Sequence, residues 1–84
     1  MGRFKSAFFR NLGYSTERWE QLQDDLARLA RTAEATIGES TEYGQKYEVR
    51  ATLEGPSGRS AKIVSVWIVL HGEDIPRFVT AYPA

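Results

Sequence analysis

The segment Ser60-Ala-Lys-Ile-Val-Ser-Val-Trp-Ile-Val-Leu70 constrains the fold of this chain more than any other, because it is apolar at both alternations of a strand. Either set of side chains left in water would forfeit its burial energy, so the strand must lie in the middle of a sheet with both faces at least partly covered. Helices can cover one face. The other needs a cover or a ligand, and the functional question lies there.

The flanking segments supply neighbours for that strand. Lys46 to Glu54 alternates, with Tyr47, Val49, Ala51 and Leu53 on one side and Lys46, Glu48, Arg50 and Thr52 on the other. Gly55-Pro-Ser-Gly58 and His71-Gly-Glu-Asp74 read as turns, and a shorter strand after the second carries Arg77, Thr80 and Tyr82. Upstream, Phe4, Ala7, Phe8 and Leu12 predict a short helix over Arg3 to Leu12, stopped at Gly13. A second helix starts after Ser15 as N-cap, presents the stripe Trp19, Leu22, Leu26, Leu29, Ala33 and Ile37, and leaves through Gly38. Glu39 to Gln45 reads as a loop. The expected fold is α+β: two N-terminal helices packed on a three-stranded antiparallel β-meander, with a fourth strand open to supply by a partner.

At 84 residues the chain makes a single domain, 1–84, near the size at which one core barely suffices, so a surface site is expected in place of an enclosed pocket. The absence of Cys removes disulfides, zinc–cysteine clusters and thiol catalysis, and a lone His speaks against a His-based metal site, so neither metal nor cofactor is expected. No stretch approaches the roughly 20 apolar residues that span a bilayer, and the N-terminus has no signal-peptide run, which predicts a soluble cytoplasmic protein without a membrane partner. Eleven basic and eleven acidic residues cancel, but Arg3, Lys5 and Arg10 cluster ahead of an acid-rich stretch from Glu17 to Glu42. A local basic patch can hold a polyanion even in a neutral protein.

Symmetric hairpins would pair Glu54 with Arg59 and Leu70 with Ile75, collecting Tyr47, Val49, Val64, Val66, Val79 and Ala81 on a helix-covered face. The second face would then hold three rows: Lys46, Trp67, Phe78; Glu48, Ser65, Thr80; Arg50, Ile63, Tyr82. Cations that hold phosphate beside rings that accept a base suit RNA. The same rows also fit ordinary cross-strand packing, with Trp67 and Phe78 covered by Phe4, Phe8 and Phe9 or by a second subunit.

Cleavage of RNA through its own 2'-hydroxyl needs a base, an acid and a cation. Glu48 or His71 could serve as base, Arg50, Lys46 or Arg77 could hold phosphate, and Thr80 or Tyr82 could donate a hydrogen bond. His71 beside Gly72 equally fits a solvent-exposed turn. The two glycines of Gly55-Pro-Ser-Gly58 lack the spacing and following helix of a phosphate loop, and no serine has a His and Asp arranged about it.

Gly2-Arg-Phe-Lys-Ser-Ala-Phe-Phe9, Trp19, Leu22, Tyr43-Gly-Gln-Lys-Tyr-Glu-Val49, Leu53-Glu-Gly-Pro-Ser-Gly58, Val66-Trp67 and Thr80-Ala-Tyr-Pro83 together resemble a small bacterial domain family of unknown function. Its members open with glycine-x-x-lysine-x-x-phenylalanine-phenylalanine and close with threonine-alanine-tyrosine-proline. They recur near toxin–antitoxin-like genes and in phage-head or polymorphic-toxin contexts. Their layout is similar to the barnase, EndoU, colicin and RelE-like ribonuclease group. The resemblance implies a metal-independent ribonuclease toxin with its site on the sheet face away from the long helix, and marks Lys5, Thr80 and Tyr82 as motif positions. It departs from relatives in lacking an upstream segment that often includes a His-Pro pair. The expected function is thus a ribonuclease toxin domain acting on RNA and held by a cognate antitoxin. The alternative is a non-catalytic interaction module, self-associating or binding a toxin–antitoxin partner through the Trp67 and Phe78 face.

Overall fold

The computed structural model describes residues 6–84, in which helix α1 (Ser6–Asn11), a 3-10 turn (Thr16–Arg18) and helix α2 (Trp19–Thr32) precede strands β1 (Ala35–Ser40), β2 (Gly44–Glu54), β3 (Ser60–Leu70) and β4 (Arg77–Pro83). The strands form one antiparallel sheet in the order β1-β2-β3-β4. The three-stranded meander expected from the sequence is therefore corrected to a four-stranded one, whose additional strand comes from the chain itself.

Strand β1 occupies residues assigned above to the end of the long helix and to a loop. Helix α2 stops at Thr32, whose hydroxyl donates to the carbonyls of Arg28 (3.2 Å) and Leu29 (3.3 Å), while Ala33 is already extended. Thr36 and Ile37, β-branched and stiff at χ1, then run along β2 with Ala35 opposite Val49 and Ile37 opposite Tyr47. Pairing gives the otherwise open edge of β2 its hydrogen bonds, a gain that local spacing does not reveal. An extra residue between Ile37 and Ser40 makes a bulge, and the Gln45 side-chain amide fills it by donating to the carbonyls of Gly38 (2.9 Å) and Lys46 (3.0 Å).

Ser15 caps as expected, its hydroxyl accepting from the Arg18 N–H at 3.2 Å, but the cap opens the 3-10 turn that leads into α2. Leu22 and Leu26 are buried beneath α2, and Leu29, Ala30 and Ala33 pack beside them. Trp19, placed in the same stripe by spacing, is 55% exposed. It stands at the first turn of α2, where it borders a groove with Phe9, Tyr14 and Leu22. Helix α1 lies within its expected span; Arg3, Phe4 and Lys5 fall outside the described residues.

The β2–β3 hairpin overturns the symmetric pairing. Gly58 donates to the Gly55 carbonyl (3.0 Å) and sits at φ 87°, while the Gly55 N–H donates to the carbonyl of Arg59 (2.8 Å). This is a turn followed by a left-handed glycine, which adds one residue to the loop and puts Glu54 opposite Ser60 instead of Arg59. A one-residue slip exchanges the faces of all of β3. Val49 consequently meets Ser65, and Trp67 meets Tyr47. Across β3 and β4 the expected Trp67–Phe78 pairing is present, but Val79 bulges out, so Val66 meets Thr80 and Val64 meets Tyr82.

The core accordingly gathers Phe9 and Leu12 of the α1 segment, Tyr14, Leu22, Leu26, Val49, Leu53, Ile63, Trp67 and Ala81. Its one buried polar side chain among the described residues is Ser65, 1% exposed, which accepts from the Trp67 indole N–H at 2.9 Å. Buried polar groups require such a partner, and here Ser65 and Trp67 partner one another. Gly55 lets the hairpin close on the first helix: a Cβ there would meet the Leu12 carbonyl oxygen at 2.0 Å, and Ser57 anchors to that same carbonyl from its N–H (3.1 Å) and hydroxyl (2.9 Å).

Candidate functional site

Alternation along each strand, with the observed register, decides which candidate residues share a face. Opposite the helix-covered side stand three rows: Lys46, Ile68, Arg77; Glu48, Val66, Thr80; Arg50, Val64, Tyr82. Thr36 of β1 extends the middle row beyond Glu48. The face therefore keeps Lys46, Glu48, Arg50, Arg77, Thr80 and Tyr82 together, but its centre differs from expectation. The middle strand contributes Val64, Val66 and Ile68 in place of Ile63, Ser65 and Trp67.

The correction removes the proposed aromatic platform. Trp67 is 7% exposed within the core, and Phe78 packs against it edge-on, ring centroids 5.4 Å apart at 73°. Neither ring stands on the open face, so the expected use of Trp67 and Phe78 there, for base stacking or for a protein interface, is withdrawn with the register that suggested it. Tyr82, half-buried at the end of its row, is the aromatic side chain that β4 does present on that face.

On the β2 flank, Arg50 and Glu48 stand on the same side two residues apart, with a guanidinium-to-carboxylate distance of 3.9 Å. The Arg50 side chain is 67% exposed and that of Glu48 38%, so both groups are reachable from solvent. Lys46 lies 3.7 Å from Glu39 across the β1 bulge. On the β4 flank, Arg77 is held bidentately by Glu73, both contacts at 3.0 Å, and this hydrogen-bonded charge raises the guanidinium pKa further above its ordinary value. The two flanks are separated by β3, an inter-strand distance of about 10 Å in all. Between them Val66 and Ile68 are half-buried, whereas Val64 is fully buried at 0% exposed.

His71 does not join this set. It follows Leu70 in an exposed turn in which Glu73 N–H donates to the Leu70 carbonyl (3.0 Å) and Gly72 adopts φ 82°. From Leu70 to the Val64 row is about 20 Å of strand. Of the two candidate bases, Glu48 alone faces Tyr82 and Thr80. Lys5 falls outside the described residues.

Three further features lie off this face. Tyr14, 4% exposed, donates to Asp25 at 2.6 Å, and Arg28 pairs with Asp25 at 3.2 Å. Burial, then the hydrogen bond to the Asp25 carboxylate, raises the Tyr14 pKa well above the ordinary 10.0. Trp19 borders apolar grooves shared with Phe9, Tyr14, Leu22 and Phe78. Among the described residues no three His, Asp or Glu side chains come together as a metal-binding group, and no helix is long and apolar enough to cross a membrane.

A family model, described as a domain of unknown function, DUF6883, matches residues 1–84. The chain belongs to that family. No curated protein and no solved structure matches it. Membership in DUF6883 agrees with the resemblance read from the opening and closing motifs, and it brings with it neither an activity nor a link to the ribonuclease-toxin group.

Proposed function

We propose that this domain is a metal-independent ribonuclease of the toxin type, acting on single-stranded RNA with the open face of its sheet. The observation that carries the reading is the pair of rows Glu48–Val66–Thr80 and Arg50–Val64–Tyr82, which set a carboxylate and a guanidinium opposite two hydroxyls across an apolar middle strand. Glu48 takes the proton of a ribose 2'-hydroxyl, and that oxygen forms a bond to the adjacent phosphorus. Arg50 holds the charge that gathers on the phosphoryl oxygens. The bond from phosphorus to the 5'-oxygen breaks, and Tyr82, assisted by Thr80, donates the proton that the leaving oxygen requires. The products are a 2',3'-cyclic phosphate and a free 5'-hydroxyl, with Glu48 protonated and Tyr82 replenished from water.

The test is incubation of the purified protein with an oligoribonucleotide in the presence of a chelator. Fragments ending in 2',3'-cyclic phosphate are expected, with no cleavage of the same sequence in DNA. Glu48→Gln should lower the rate by about 10²–10⁴, the usual contribution of a general base. Unchanged cleavage in folded Glu48→Gln, or none by the native chain, would refute the proposal.

A second reading, a non-catalytic interaction module, draws on the half-buried Val66 and Ile68, apolar side chains on the face opposite the helices. Under that reading a second copy or an antitoxin would lie on β3, and concentration-dependent mass would show the self-associating form.

A further inference from the structure

The cations expected to hold phosphate are not equally available. Arg77 is engaged bidentately by Glu73, Lys46 lies 3.7 Å from Glu39 and Arg50 lies 3.9 Å from Glu48, so each already has a carboxylate neighbour. Lys62 is different. It is a charged residue inside the central strand, opposite Thr52 in β2 and therefore on the open face, one row beyond Arg50. It is exposed and has no ion pair among the described residues. Glu54 stands on the same face one row further out, and it too makes no ion pair with Lys62.

The surface between these residues is recessed. A shallow depression of about 280 Å³ is lined by Arg50, Ala51, Thr52, Lys62, Ile63 and Ala84. Alternation sends the Arg50, Thr52 and Lys62 side chains to the open face, so two cations and a hydroxyl border it. Ala84 closes it from the other side, its N–H donating to the Lys62 carbonyl at 3.0 Å.

We infer that Lys62, with Arg50 and Thr52, forms a subsite that holds a phosphate of single-stranded RNA at the hairpin end of the open face. The inference rests on the ribonucleolytic reading of that face and names where its substrate is gripped. Four strand residues, about 13 Å, separate Lys62 from the Glu48–Thr80 row, so the phosphate it holds flanks the one that is cut. Lys62 is thus a binding residue, and Arg50 serves both positions.

The test measures binding and turnover on the same variants. A fluorescent single-stranded oligodeoxyribonucleotide has the phosphates without the 2'-hydroxyl, so its anisotropy reports uncut complex at several salt concentrations. Lys62→Gln should weaken binding about three- to tenfold and flatten the slope of log affinity against log salt by about 0.7, the value of one phosphate contact on a single strand. Lys62→Arg should keep native affinity, and Lys46→Gln should lose less than Lys62→Gln. On RNA, Lys62→Gln should raise KM by a similar factor and leave kcat near native. Native affinity and KM in Lys62→Gln, with a native chain that binds and cleaves, would overturn this inference alone. A native chain that neither binds the oligonucleotide nor cleaves RNA would sink the ribonuclease reading and this inference with it.

Discussion

Replacing Ser65 by Ala tests the observed register at the residue on which the two alternatives differ most. Ser65 is 1% exposed and its hydroxyl receives the Trp67 indole N–H at 2.9 Å, with the Val49 carbonyl 3.5 Å beyond. Alanine fits the same space, so the loss is one acceptor for a donor inside the core. Leaving such a donor unpaired costs about 1–3 kcal/mol. For a domain of this size each kcal/mol moves the melting midpoint by roughly 4–8 °C, so a fall of about 5–20 °C is expected, with an unchanged denaturant slope. Chemical denaturation followed by circular dichroism measures it. Fluorescence in a Trp19→Phe background isolates Trp67, whose emission should be blue and poorly quenched by acrylamide. A Ser65→Ala chain within about 0.5 kcal/mol of native, together with a readily quenched Trp67, would refute the reasoning and return both residues to the open face.

Two other consequences concern stability. The folded chain holds the Tyr14 proton more tightly than the unfolded chain does, because its pKa is raised above 10.0 by burial and by Asp25. The stabilisation is full below pH 10 and is lost as pH rises toward the folded-state pKa, with a slope that approaches about 1.4 kcal/mol per pH unit. Subtracting the profile of Tyr14→Phe from the native one between pH 8 and pH 11, by urea denaturation, should leave that fall; a flat difference would exclude it. Gly55→Ala and Gly58→Ala should separate crowding from backbone strain. A Cβ at Gly55 meets the Leu12 carbonyl at 2.0 Å, so on the order of 3 kcal/mol or more is expected. Gly58 has open space but φ 87°, which costs about 1–2 kcal/mol. Equal melting points for the two variants would contradict the hairpin geometry.

The candidate face was legible in part from β2, whose clean alternation sends Lys46, Glu48 and Arg50 one way and Val49 and Leu53 the other. Strand β3 has no such signal. Apolar residues at both alternations suit either parity, and the added residue at Gly58 decided between them. Strand β1 was hidden because Ile37 continues the spacing of the helix before it, while its hydrogen bonds go to residues about ten positions away. Lys62 is a lysine inside an apolar strand, which is itself a signal. Its side becomes meaningful only once the register says that Thr52 and Arg50 share it.

Local chemistry alone determined the two helices, the turns at Gly55–Gly58 and His71–Asp74, and the inner place of β3 in the sheet. Those properties follow from periodicity and caps, which act over a few residues. The tertiary structure decided the rest: the fourth strand, the burial of Trp67, and the separation of His71 from Glu48. Each depends on which residues meet across strands, and a shift of one residue in a hairpin changes that without altering any local preference.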